Sequence, residues 1–487
     1  MRNMRKLIAL LLAACMLMLT GCSQTGPAQT EAPTKAPAEA TKAPETSAPT
    51  SGAETPTDAP DDGALDTSWI LEDTNMSGTV NFWIPFKGTQ GMDALIAEFN
   101  SVYPNITVNL NSYSNGADGN VGVNTAILAG EVDVLASFGL GNTNNRWENG
   151  LFVDITDKVE EEGIDLVEQW GTDVYKYDGS IYTFPCGGLS NYICINMTAW
   201  NEAGLGELPK EWTWDEYLEA SKAMTKVAAD GKVEIYGGSD VQDYSYFMYT
   251  ISQGSGKDRL YDEDGTSSYD NPRALKALER KLKAELEDKI WYPNASYKSD
   301  GYYTNEAFLA GKIASGITTN IVRFLHQTET YPDVKWVTGF APYPVEEEGE
   351  TNYMSGVSTF SHAGIALNCQ DEDAAWAFLK WYSTYGVKYL VAAGHQPKWI
   401  GTEPGAALAL IYGSEEEAAK WVDFESFSHV IGRTDLPAYA DTNLTALADV
   451  GSALKDPIMQ AISGEMSAED CLKQAAEEAD EAIRDAQ

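Results

Sequence analysis

Thr79-Val80-Asn81-Phe82-Trp83-Ile84 is a run of strand formers stopped by Pro85, a residue that cannot continue a sheet ladder. Downstream, Met92, Leu95, Ile96, Phe99 and Val102 recur at helical spacing, and Ile106 to Leu110 reads as a second strand. A helix near Asn124 to Ala129 and a strand from Val132 to Ser137 complete the pattern. Strand, helix, strand, helix, strand predicts an α/β architecture with a parallel sheet and crossovers. In such a sheet ligands sit beyond the carboxyl ends of the strands, so the loops after Ile84 and Ser137 are expected to meet at a site.

The chain's 487 residues and 43% hydrophobic content suffice for two packed lobes. With 33 Lys plus Arg against 73 Asp plus Glu, the net charge is -40, a surface that repels phosphate backbones and so argues against nucleic acid. The four histidines stand singly, which suggests neither a metal site nor a catalytic triad, and no cofactor motif is present. Asp262, Asp264 and Gly265 open like a calcium loop but lack its late glutamate, so a hairpin turn is expected there.

Arg2, Arg5 and Lys6 precede an apolar run from Leu7 to Leu19 that is too short to span a bilayer, the pattern of an export signal over residues 1–21. From Ser23 to Ala64 there is no Val, Leu, Ile, Met or aromatic residue, while seven prolines recur. A tether over 22–67 that cannot bury itself follows from that composition. Of the later cysteines, Cys186 and Cys194 flank Gly187-Gly188; buried free thiols are favoured, and a bridge between them stays open.

Helix starts are marked at Thr213 with Glu216, Ser414 with Glu417 and Ser467 with Asp470, while Pro272 suits a first helical turn. Leu275, Leu278, Leu282 and Leu286 then form one apolar stripe, read as core.

Leu19-Thr20-Gly21-Cys22 resembles the bacterial lipobox, which implies diacylation of Cys22 and an anchor on the extracytoplasmic face of the cell membrane. The segments VNFWIPFKG, ALIAEFNSVYPNITVNL, AILAGEVDVLASFG and ENGLFVDITDKV are similar to the extracellular solute-binding protein family, typified by maltose-binding-protein-like sugar-binding lipoproteins of ABC importers. YDGSIYTFPCGGLSNYICINMTAWNEAGL, LPKEWTWDEYLEASKAMT, EAFLAGKIASGITTN, GIALNCQDEDAAWAFLKWYS and ISGEMSAEDCLKQA continue the resemblance in order, from Gly78 to Arg484.

The resemblance implies a two-lobed, periplasmic-binding-protein-like (Venus flytrap) α/β fold with hinge crossings and an interlobe ligand cleft. Residues 68–186 plus 357–436 are expected to form lobe 1, and 187–356 plus 437–487 lobe 2, with crossings near Gly187, Gly356 and Pro437. It further implies a carbohydrate ligand, ABC permease subunits as partners, a monomer, and no enzymatic activity.

By family position, Trp83, Phe86, Lys87, Phe138 and Gly139 are expected at the cleft from one lobe, and Asp240, Asp243, Tyr244, Asn320 and Arg323 from the other. Gly356 follows the second crossing, and Phe360 reads equally as cleft or as core. Two other readings are set beside this one. The acidic loop and aromatics would also suit a polyamine, peptide or other non-sugar solute. Asp240 and Asp243 are the only local carboxylate pair for a surface carbohydrate-active enzyme, and they lie on one loop, whereas glycosidase carboxylates flank the scissile bond.

Overall fold

A computed structural model describes residues 65–486 apart from 72, 172–175, 242, 403–405, 432–435, 440–442 and 444. The export signal, the tether up to 64 and Cys22 lie outside these residues. Eleven strands are described: β1 Gly78–Ile84, β2 Ile106–Ser112, β3 Val134–Phe138, β4 Phe184–Leu189, β5 Tyr192–Asn196, β6 Lys226–Val227, β7 Val233–Ile235, β8 Ser315–Thr318, β9 Thr338–Pro342, β10 Ser358–Ile365 and β11 Gln396–Pro397.

The first sheet runs β11-β4-β10-β3-β1-β2. β1 pairs parallel with β2, from Gly78↔Ile106 to Ile84↔Ser112, and with β3 at Phe82↔Val134. The helices Met92–Val102 and Ala117–Leu128 make the crossovers, the second starting well before the expected Asn124. The sheet is mixed, because β10 enters antiparallel between β3 and β4. Period-two alternation sends Val80, Phe82 and Ile84 into a core with Phe99, Phe378, Trp381 and Tyr382. Phe82 lies 4.9 Å from both Phe378 and Tyr382, ring centre to ring centre, and burying each such ring contributes roughly 2–3 kcal/mol.

The second lobe carries the antiparallel sheet β8-β5-β9. Thr213 and Glu216 form a reciprocal cap on the helix Trp214–Met224, as their spacing predicts. Ser414 and Ser467 likewise accept from Glu417 and Asp470. Asp262 and Gly265 turn a short hairpin through Tyr261↔Ser267. The helix Pro272–Leu282 buries Leu278 in a core with Leu454 and Leu472, but Leu286 is 40% exposed. The π-helical turn Lys283–Glu287 widens the helix there and rotates the leucine stripe out of register.

The chain passes between lobes at Ser190-Asn191, where β4 ends and β5 begins, rather than within residues 186–187. It returns at Met354–Val357, and Asn191 N–H donates to the Met354 carbonyl at 2.9 Å, so the two crossings lie side by side. The third expected crossing, at Pro437, is displaced. Trp399 packs in the first lobe's core, whereas Leu408, Tyr412, Val422 and Val430 pack with Phe340 and Ile313 of the second. The chain therefore crosses between Trp399 and Leu408, and the helices Ala406–Tyr412 and Phe424–Val430 belong to the second lobe, not to lobe 1. Apolar periodicity cannot distinguish these assignments, since either core accepts the same residues. Cys186 and Cys194 are free, buried thiols on strands of different sheets, and burial raises both pKa values.

Candidate functional site

The carboxyl ends of β1 and β3 do converge, and they deliver aromatic rings. Phe86 and Phe138 are only 7% and 1% exposed, so they build the floor of the interlobe seam rather than its surface. Phe86 meets Phe138 edge-on at 5.1 Å, and Phe360 and His395 complete a four-ring cluster. Phe360 is the half-buried member. Gly139 N–H donates to the Phe360 carbonyl at 2.9 Å, tying the start of the helix Leu140–Glu148 to β10. Lys87 is exposed, and its backbone N–H donates to Gln90 Oε1.

Opposite these groups, the loop after β8 presents Asn320 and Arg323. Asn305 joins them to the strand, donating to Asn320 Oδ1 and accepting from Thr318 Oγ1, both at 2.7 Å. Arg323 Nη1 donates to the Ala393 carbonyl at 2.7 Å across the seam, and its guanidinium lies 4.4 Å over Phe324. Burial lowers the Arg323 pKa against the opposing pull of Glu306. At Gly394, with φ at +86°, a Cβ would sit 2.7 Å from Asn320 Cβ, so the lobes approach here only because the residue is glycine.

The segment after Gly394 was not legible as a site. Gln396 Nε2 donates to Ser190 Oγ at 2.6 Å, and Lys398 Nζ donates to the Val357 carbonyl at 3.0 Å, so β11 and the residue that follows it grip both crossings. Burial lowers the Lys398 pKa to about 8 and that of His395 to about 3. The only sequence signal was a polar Gly394-His395-Gln396-Pro397 interruption after an apolar run.

Five expected contributors stand elsewhere. Asp240 is buried and accepts from Lys281 Nζ at 3.1 Å and Val241 N–H at 2.8 Å, while Lys281 also pairs with Glu285 at 2.6 Å. Burial opposes the Lys281 charge, but the two carboxylates outweigh it and hold the ammonium protonated. The void beside Asp240 is about 10 Å³, no more than one water's room. Asp243 is spent on a turn, accepting from Ser245 N–H and Oγ at 2.9 Å, and Tyr244 packs on the core containing Leu278. Gly356 serves the crossing, because a Cβ there would lie 2.3 Å from the Pro437 carbonyl oxygen. Trp83 points to the face of β1 away from Phe82, where its Nε1 donates to the Glu131 carbonyl at 3.1 Å, and it does not join the seam.

Among the described residues no group of three or more His, Cys, Asp or Glu could hold a metal ion, and no helix is long and apolar enough to cross a membrane. The bacterial extracellular solute-binding protein family matches this sequence over residues 86–389. No curated protein matches it. Among solved structures, a sugar transporter of Rhizobium etli in an open conformation superposes with a TM-score of 0.65 at 19% identity, over 82% of this chain and 98% of that one. An ABC substrate-binding protein of Listeria monocytogenes in complex with cycloalternan gives 0.64 at 18%, over 84% and 100%. An ABC transporter solute-binding protein of Thermotoga lettingae bound with alpha-D-tagatose gives 0.60 at 20%, over 84% and 100%. At these identities the likeness is one of fold.

Proposed function

The chain belongs to the bacterial extracellular solute-binding protein family, and from that premise we propose that it binds a carbohydrate between its lobes and delivers it to the permease of an ABC importer. The observation that carries this is the seam itself. Two sheets joined through adjacent crossings meet over the Phe86–Phe138–Phe360–His395 cluster, and Arg323, Asn320 and Gln396 line the approach. An aromatic floor with a few amide and guanidinium donors suits a neutral, hydroxyl-rich solute. The structurally similar proteins crystallised with cycloalternan and with tagatose support the same class. Attachment through an acylated Cys22 would keep the protein, as a monomer, beside its permease.

A cationic solute is less well served, because Lys281 already neutralises Asp240. The same pairing removes Asp240 as a catalytic acid, which favours binding without turnover. A thermal-shift screen over mono- and oligosaccharides tests the proposal. At a hundredfold excess over its Kd the right sugar stabilises by about 2.7 kcal/mol, and chromatography should recover it unchanged. A panel in which no sugar raises the melting temperature, while a polyamine or peptide does, would replace the carbohydrate reading.

A further inference from the structure

The outer face of the first sheet carries a groove of about 400 Å³ between the β1–β2 edge and the helix Ala117–Leu128, bordered by Trp83, Tyr113, Gly119, Gly122, Ala129 and Glu131. We infer that this groove is a second saccharide-binding site, separate from the seam, in which one ring of a neutral glycan stacks on Trp83. Its volume falls within the ~300–1,000 Å³ typical of small-ligand pockets.

Three observations on different elements carry the inference. Trp83 and Tyr113 are both half-buried, with their polar ends already satisfied: Trp83 Nε1 by the Glu131 carbonyl at 3.1 Å and Tyr113 OH by the Ala136 carbonyl at 2.7 Å. Their rings are therefore fixed in place, which lowers the entropy lost on stacking a sugar face.

The polar groups that line the groove beside Trp83 are Ser114, Thr125 and Glu131. An aromatic plate bordered by two hydroxyls and a carboxylate matches the apolar face and hydroxyl rim of a pyranose.

The third observation is Gly122. Gly119, one turn earlier, has a steric reason to be glycine, because a Cβ there would meet the Ser114 carbonyl oxygen at 1.9 Å. Gly122 has none: a Cβ would find nothing within 4 Å. An interior helical glycine is less stable than alanine, yet this one borders the groove and leaves it unobstructed. The inference does not depend on what the seam binds.

Affinity electrophoresis of the full-length protein, through gels holding starch, galactomannan, xylan or mixed-linkage β-glucan, tests it. At least one polysaccharide should retard the wild type. Trp83→Ala and Gly122→Leu should each weaken that retardation at least tenfold, with the melting temperature of Gly122→Leu little changed because its side chain enters open space. No retardation by any of the four would overturn the inference. So would retardation that survives in Gly122→Leu, whatever Trp83→Ala does.

Discussion

Arg323 Nη1 donates to the carbonyl of Ala393 at 2.7 Å, and that bond joins the 3-10 turn Ile321–Arg323 after β8 in one lobe to the 3-10 run Tyr385–Ala393 in the other. Asn320 sits against Gly394 in the same contact, so the two lobes touch through backbone on one side and a charged donor on the other. Replacing Arg323 with Ala removes a charge-assisted hydrogen bond, a loss of about 1.5–3 kcal/mol. The solute-free variant should show a larger radius of gyration by small-angle scattering. Identical scattering from variant and wild type would mean the bond does not hold the lobes together.

The Lys281 ammonium lies between Asp240 and Glu285, all three buried. Lys281→Met keeps the stem but leaves two carboxylates without their cation, and removing one member of such a group typically costs about 3–5 kcal/mol. Urea denaturation at pH 7 reads this directly. A change below about 1 kcal/mol would show that water reaches the site on substitution.

His362 and His395 are both buried, and burial lowers each pKa from 6.5 to about 3, with Lys398 and Arg323 adding to the effect respectively. The unfolded chain takes up protons on these rings below about pH 6.5, whereas the folded chain does not until about pH 3. Their contribution to stability is therefore full above pH 6.5 and falls by about 1.4 kcal/mol per pH unit per ring as acid is added, roughly 2 kcal/mol each at pH 5. His395→Gln should flatten the drop in melting temperature between pH 7 and pH 5, whatever it does to the level at pH 7. An unchanged slope would show that His395 is not held neutral.

Cys22→Ser should release the protein from the membrane fraction and abolish fatty-acid labelling, since a serine cannot be acylated as the lipobox requires. Labelled, membrane-bound mutant protein would exclude the anchor.

Local pattern determined the first half of the first sheet. The strand and helix periods of Thr79 to Ser137 each report on their own neighbours, and β1, β2 and β3 pair parallel with helices between them. The caps at Thr213, Ser414 and Ser467 were legible for the same reason, because donor and acceptor lie three residues apart. The candidate site was legible only as a location. Phe138, Asn320 and Arg323 reach the seam, but tertiary packing decided that Phe138 is floor and that Asp240 is an ion-pair partner of a lysine 41 residues away. The side of the sheet taken by Trp83 was likewise undetermined, since Phe82, Trp83 and Ile84 are all apolar and give alternation nothing to sort. The insertion of β10 between β3 and β4 and the passage of Leu408 to Val430 into the second lobe depend on contacts between residues far apart in sequence. Such contacts are chosen by the shape and volume left in each core, a property of the folded chain that no local window of sequence contains.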